Sequence, residues 1–192
     1  MAATEFISIA EVKAFSDPGN TVTDVSSDAV VTATIGAVCE AVEEYLRRPV
    51  VARSLSKRSD GGGRHIFLKH MSPGYLSVTS AVEDGKTLVS GTDYLVYEDE
   101  GYVARVSGSA FTDWAKGPQI VTIIYTAGVA QTVSGVPENV KLAAKIGVKH
   151  FLRLGPDDYG SKLESGAWIK PDKFPRQALW LLDAYRLPGG AA

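Results

Sequence analysis

Hydrophobic positions along the chain change their period twice, and the changes divide it into three stretches. In the first, Val31, Ile35, Val38, Val42 and Tyr45 recur at alternating steps of four and three, the spacing of one helix face. This pattern predicts a long helix over about 25–48, capped by Asp24 or Ser26 and stopped by Pro49. A helix with so wide an apolar stripe must pack on other helices, because propensity alone does not hold it. Ahead of it, Ile9, Val12 and Phe15 mark a short amphipathic turn or two, ended by the run Asp17-Pro18-Gly19-Asn20.

From Pro49 the period falls towards two. Asp84-Gly85 separates Leu76–Glu83 from Lys86–Val89, and Glu100-Gly101 separates Tyr94–Glu98 from Tyr102–Val106; both read as tight hairpin turns. Val50–Ser56, Arg64–Lys69 and Gln119–Thr126 are further strand candidates, and Ser59-Asp60-Gly61-Gly62-Gly63 reads as a flexible loop. Around 119–126 both faces are apolar or aromatic, which predicts a central strand covered on both sides. The third stretch returns to helix. Pro137 and Glu138 suit a first turn, and Val140, Ala144, Val148, Phe151 and Leu152 form a stripe over about 137–154 that ends at Gly155. A loop of 18 residues, Pro156–Lys173, precedes a C-terminal helix over about 175–187, with Ala178, Leu182 and Tyr185 on one side and Trp180 on another.

These elements predict an α+β fold: a single domain over 1–192 in which a small helical bundle, 1–48 and 136–192, carries an inserted β region, 49–135. The insertion is expected to be one antiparallel sheet of five or six strands over about 50–126.

Charge adds a division of its own. The formal net charge of -2 excludes a chain whose whole surface grips phosphates, yet it is unevenly spread. Residues 1–48 hold 8 acids and 3 bases, residues 49–135 hold 8 of each, and residues 136–192 hold 6 acids and 9 bases. The two ends attract. One cysteine, Cys39, leaves no disulfide within the chain, and neither a signal peptide nor a membrane span is legible, so synthesis in the cytoplasm is expected.

Residues that carry chemistry do not converge in the sequence. His65, His70 and His150 lack metal-ligand spacing and read as loop or surface histidines, and Cys39 reads as a small buried hydrophobe. The glycine run at 61–63 continues into neither a Walker A loop nor a dinucleotide fingerprint, and no Gly-x-Ser-x-Gly elbow exists. No cofactor, metal or catalytic residue is expected.

Two features call for partners. Lys141, Lys145, Lys149 and Arg153 recur every four residues opposite the apolar stripe, a basic ridge expected at an inter-subunit or channel-facing surface. The second is an aromatic and basic tail, from which Trp168, Lys170, Phe174, Arg176, Trp180 and Arg186 are expected to bind a partner. Removal of residues 168–192 is expected to leave the monomer folded.

Several short motifs in order complete the picture. They are Tyr45-Leu46-Arg47-Arg48-Pro49, the hairpins with Asp84-Gly85 and Asp93-Tyr94-Leu95-Val96, Trp114, Val121-Thr122-Ile123-Ile124-Tyr125-Thr126-Ala127-Gly128, Val136-Pro137-Glu138-Asn139-Val140-Lys141 and Leu181–Arg186. Over about residues 5–187 this order resembles the head-tail connector (adaptor) family of tailed bacteriophages and related gene transfer particles. The resemblance implies a non-enzymatic virion protein of the neck. It would form a ring, commonly of twelve copies, below the portal protein, lengthen the channel through which double-stranded DNA passes, and dock the stopper or tail. The alternatives are a stopper or tail-completion protein, or an enzyme or small-ligand module with a site in the β insertion.

Overall fold

The computed structural model describes residues 5–16, 28–69, 74–153 and 174–187. The fold is α+β, and the chain divides into two compact units, one of Met1–Val50 with Thr132–Ala192 and one of Val51–Gln131.

The first unit is helical: α1 (Ile9–Ser16), α2 (Asp28–Leu46), α3 (Glu138–Arg153) and α4 (Arg176–Leu182). At the start of α1, the Ser8 hydroxyl accepts from the Glu11 N–H at 3.2 Å and the Glu11 carboxylate accepts from the Ser8 N–H at 2.7 Å. This reciprocal pair is a capping box that meets two of the helix's orphan donors. Helix α2 buries Val31, Ile35, Val38, Val42 and Leu46; the proposed caps Asp24 and Ser26 lie outside the described residues. Its end is tied off locally. Arg47 turns into the left-handed region (φ 60°), and the buried Glu43 carboxylate accepts from the Val50 N–H at 2.8 Å, just past Pro49.

Helix α3 is the centre of this unit, packed against α1, α2 and α4, with Val140, Ala143, Ala144, Val148 and Phe151 buried. Helix α4 begins where the Pro175 carbonyl accepts from Ala178 and Leu179. Beyond Leu182 the chain tightens into a 3-10 turn, Asp183–Tyr185, so the α-helix stops short of the expected 187.

The second unit holds eight strands: β1 (Arg53–Ser59), β2 (His65–Phe67), β3 (Tyr75–Glu83), β4 (Lys86–Thr87), β5 (Tyr94–Tyr97), β6 (Tyr102–Ser107), β7 (Ala110–Phe111) and β8 (Val121–Gly128). They form two antiparallel sheets rather than the single sheet the hairpins suggest: β1-β8-β3-β4, and β2-β6-β5 with β7 on β6. Ile66, Tyr94 and Val103 of one sheet share a buried cluster with Leu76, Ala81, Val121, Ile123 and Tyr125 of the other, and Trp114 closes it. Strand β8 is central, yet only one face is covered. Val121, Ile123, Tyr125 and Ala127 are buried, whereas Ile124 points to solvent.

A charged group joins the two sheets within this unit. Arg105 on β6 bonds the Glu83 carboxylate on β3 at 3.0 and 3.1 Å and donates to the carbonyls of Asp93 and Val106 at 2.5 and 2.7 Å. The second Glu83 oxygen accepts from the Ala115 N–H at 2.8 Å.

The glycine run is not a slack linker. Gly61 donates to the Gly117 carbonyl and Gly62 to that of Trp114, both at 2.9 Å, while the Gly63 carbonyl accepts from Trp114 at 2.9 Å. A Cβ on Gly61 would stand 1.6 Å from the Ala115 carbonyl oxygen, whereas one on Gly63 meets nothing within 4 Å. Gly61→Ala is therefore expected to lower stability by about 2 kcal/mol or more, since backbone atoms cannot step aside. Gly63→Ala serves as the neutral control, and thermal melts of the two variants check the contrast.

Candidate assembly surfaces

The basic ridge of α3 is occupied within the chain. Helix α1 packs against α3, and Lys145 approaches Glu11 at 3.8 Å while the Lys149 ammonium stands 5.3 Å from the centre of the Phe15 ring. Lys141 meets Glu138 at 3.2 Å. The Lys141 and Lys145 side chains are only 12% and 17% exposed. Hydrogen bonds from Ser8 hold the Glu11 carboxyl below its ordinary range, and Lys145 and Lys141 add to the effect. An acidic partner for this ridge is thus found within the same chain. Arg153 ends α3, and its side chain lies outside the described residues.

In the tail, the structure separates residues that the sequence groups together. Trp168 and Lys170 lie outside the described residues. Phe174 is core, 6% exposed, with its ring 5.7 Å from that of Phe151 in an edge-to-face pair. It fills the space beside Gly147, where a Cβ would come within 2.9 Å of the Phe174 ring and 3.3 Å of Val38. Phe174 is therefore a packing residue, not a partner contact. Because Ala178 and Leu182 are fully buried with it, a chain lacking residues 168–192 would lose core, contrary to the expectation of a folded monomer.

Arg176 and Trp180 remain exposed, one turn apart on α4, and Trp180 is 77% exposed. Gln177, Asp183 and Ala184 at the adjacent helical positions are exposed too. Arg186 sits with its guanidinium carbon 4.6 Å from the centre of the Tyr45 ring, and the Tyr45 hydroxyl donates to Asp183. The Leu187 N–H donates to the Leu46 carbonyl at 3.1 Å. Two motifs far apart in sequence, Tyr45–Pro49 and Leu181–Arg186, thus meet and dock the end of the chain onto the end of α2.

A second surface was not read from the sequence. On the outer face of the second sheet, the strand register places Phe67, Tyr102 and Tyr97 in one row and His65, Ala104 and Leu95 in the next. Tyr97 and Tyr102 stack at 4.6 Å, Phe67 meets Tyr102 at 5.6 Å, and His65 lies 4.8 Å from Tyr102 and 6.4 Å from Phe111. Phe67 and Phe111 are 61% and 49% exposed. Loss of solvent, then Tyr97 and Glu100, raise the Tyr102 phenol above its ordinary range. The available signal was alternation with apolar residues at both phases, as in Tyr94-Leu95-Val96-Tyr97.

Burial pushes the Cys39 thiol up to about 12, so it is a poor thiolate. Among the described residues no three His, Cys, Asp or Glu side chains could hold a metal ion, and no helix is long and apolar enough to cross a membrane. His70 lies outside the described residues.

A family model for head completion proteins matches residues 5–187. The chain belongs to the head completion protein family. No curated protein matches it in sequence. Three solved structures share the family member's fold from end to end. One is a chain of the virion of a native gene transfer agent (GTA) particle, at TM-score 0.65 and 17% identity over 99% of this chain and 96% of that one. Another belongs to the neck of an empty GTA particle computed with C6 symmetry, at 0.65 and 17% over 99% and 97%. The third belongs to the neck of a native GTA particle computed with C12 symmetry, at 0.59 and 15% over 99% of both chains.

Two measurements test these placements. Phe174→Ala is expected to cost the isolated head completion protein about 3 kcal/mol or more, whereas Trp180→Ala should change its stability by less than about 0.5 kcal/mol; denaturant titration decides. For Glu11 the folded carboxyl lies below its ordinary value, so its contribution is present above the ordinary carboxylate range, about 4 to 4.5, and is lost as pH falls below it. Wild type should therefore lose more stability than Glu11→Gln between neutral and strongly acidic pH, measured by thermal melts across that range.

Proposed function

We propose that this chain is a head-tail connector: a structural, non-enzymatic protein that forms a ring in the neck of a phage-like particle. In this reading the ring has twelve copies, sits below the portal, lengthens the DNA channel and docks a stopper or tail protein. The observation that carries the reading is the family match over residues 5–187, joined to a fold shared over 99% of the chain with components of GTA necks. The C12 and C6 symmetry of those neck reconstructions supports a rotational assembly. Charge is consistent with the channel: a chain of net charge -2 lines a path along which DNA slides without a strong electrostatic grip.

The surface offered to a partner, portal or neighbour, centres on Arg176 and Trp180 on α4, with Trp168 and Lys170 as candidates alongside. Lys145 and Lys149 are engaged with α1 within the chain and Lys141 with Glu138, so reversing Lys145 and Lys149 should release α1 before it disturbs any ring.

Electron microscopy of the purified chain, alone and mixed with portal protein, tests the assignment. A ring coaxial with the portal is expected. A ring that joins only the tail side would assign the chain as a stopper, and a monomer that binds neither would refute the connector role.

A further inference from the structure

We propose that the aromatic face of the second sheet is a docking surface for a second copy of this chain, and that it receives Trp180 from α4 of that neighbour. The inference rests on the ring reading above and names the partner that α4 meets.

A rotational ring is built from heterologous contacts, so each copy must offer two different surfaces, one to each neighbour. Among the described residues the exposed Phe and Trp side chains are Phe67, Phe111 and Trp180. They fall in two places, one in each compact unit. On the sheet face Tyr102 contacts the rings of Phe67, Tyr97 and His65, and His65 contacts Phe111, with Ala104 fully buried in the same layer. Contiguous apolar surface of this kind marks an interaction site, and ring edges and faces in such a layer accept an indole in tilted or offset geometry. The other surface is a single protruding indole on a helix whose register is held by buried neighbours on its opposite side.

Charge then selects the pairing. The aromatic row of Tyr97 and Tyr102 ends at the exposed turn Glu98-Asp99-Glu100, and Glu100 lies close enough to perturb the Tyr102 phenol. Arg176 is exposed one helical turn before Trp180. Seating Trp180 on the rings brings an arginine towards three carboxylates, which orients the contact. Trp and Arg are also the residue types over-represented among interface hot spots. One such contact is small beside a stable interface of about 800 Å² per partner. Repetition around a closed ring supplies the remainder, since each copy is held from both sides.

The test uses assembled particles carrying the full chain with p-benzoylphenylalanine at position 180. Irradiation is expected to give an adduct of twice the chain mass, with the cross-linked peptide mapping within 65–111. An adduct with another virion protein, an adduct elsewhere on the chain, one at monomer mass, or none at all overturns the docking and leaves the connector reading intact. Absence of the unmodified wild-type chain from particles overturns the connector reading itself. As an independent arm, Arg176→Glu should cut the copies per particle by about 10-fold or more, and Glu98→Lys with Glu100→Lys should restore most of the loss. Failure of that exchange to rescue counts against the pairing. All three side chains are exposed, so unchanged melting temperatures certify the variants.

Discussion

Phe174 in the notch beside Gly147 is the contact on which the helical unit's outward surface depends. Only a glycine leaves room there, because a Cβ would lie within 2.9 Å of the Phe174 ring. The ring in turn reaches Phe151 on α3, so the chain is committed to a position before its last helix begins. Ala178 and Leu182 then have one direction in which to bury. The rotation of α4 follows, and with it the exposure of Trp180. A second anchor closes the element at its far end, where Tyr45 bonds Asp183 and Leu187 donates to Leu46. A helix of seven residues has little stability of its own. Held at both ends, it presents an indole as firmly as a longer helix would.

Charge asymmetry resolves differently from what its sum suggests. The acidic first stretch and the basic last stretch do attract, but part of that attraction is spent inside one chain, where Glu11 faces Lys145. Within the first stretch itself, Lys13 pairs with Asp28 at 2.5 Å. Half-exposed pairs of this sort add little stability each. Their effect is placement. The capping box holds the Glu11 carboxylate at the start of α1, and Lys145 and the Phe15–Lys149 contact hold α1 along α3. The surface left for other molecules is thereby made less basic than the sequence implies, which moves the weight of recognition from charge to aromatic contact.

The helices were legible because each has one apolar stripe, and Val31, Ile35, Val38 and Val42 are buried as their spacing requires. The hairpins were legible because Asp84-Gly85 and Gly101 adopt positive φ. Two kinds of information were not. Aromatic residues have no fixed side: Phe174 and Trp180 look alike in sequence, and only the space beside Gly147 tells that one is core and the other surface. Pairing between distant strands is likewise absent from local pattern, so one sheet was expected where β6 recruits β2 and β5 into a second. The aromatic layer follows from that second sheet, since Phe67, Tyr97 and Tyr102 come from three segments that only the register brings side by side. Gly61 failed for a third reason. Flexibility and close approach both select glycine, and composition does not distinguish them.

The β unit depends on a pin of a different kind. Arg105 and Glu83 are largely buried, with side-chain exposures of 15% and 12%, and a buried ion pair is weak evidence of net stability because both charges were taken out of water. What it does is specify. Arg105 donates to one carboxylate and two carbonyls, and Glu83 accepts from the guanidinium and from Ala115, so neither sheet can slide along the other without stranding a charge. An apolar core alone would tolerate such a slide, since the cluster of Val, Ile and Tyr residues has no preferred register. The outer aromatic layer lies on β6, the strand that carries Arg105. Fixing that strand fixes the spacing of the rings, and a flat surface assembled from three strands keeps its shape only if the strands do.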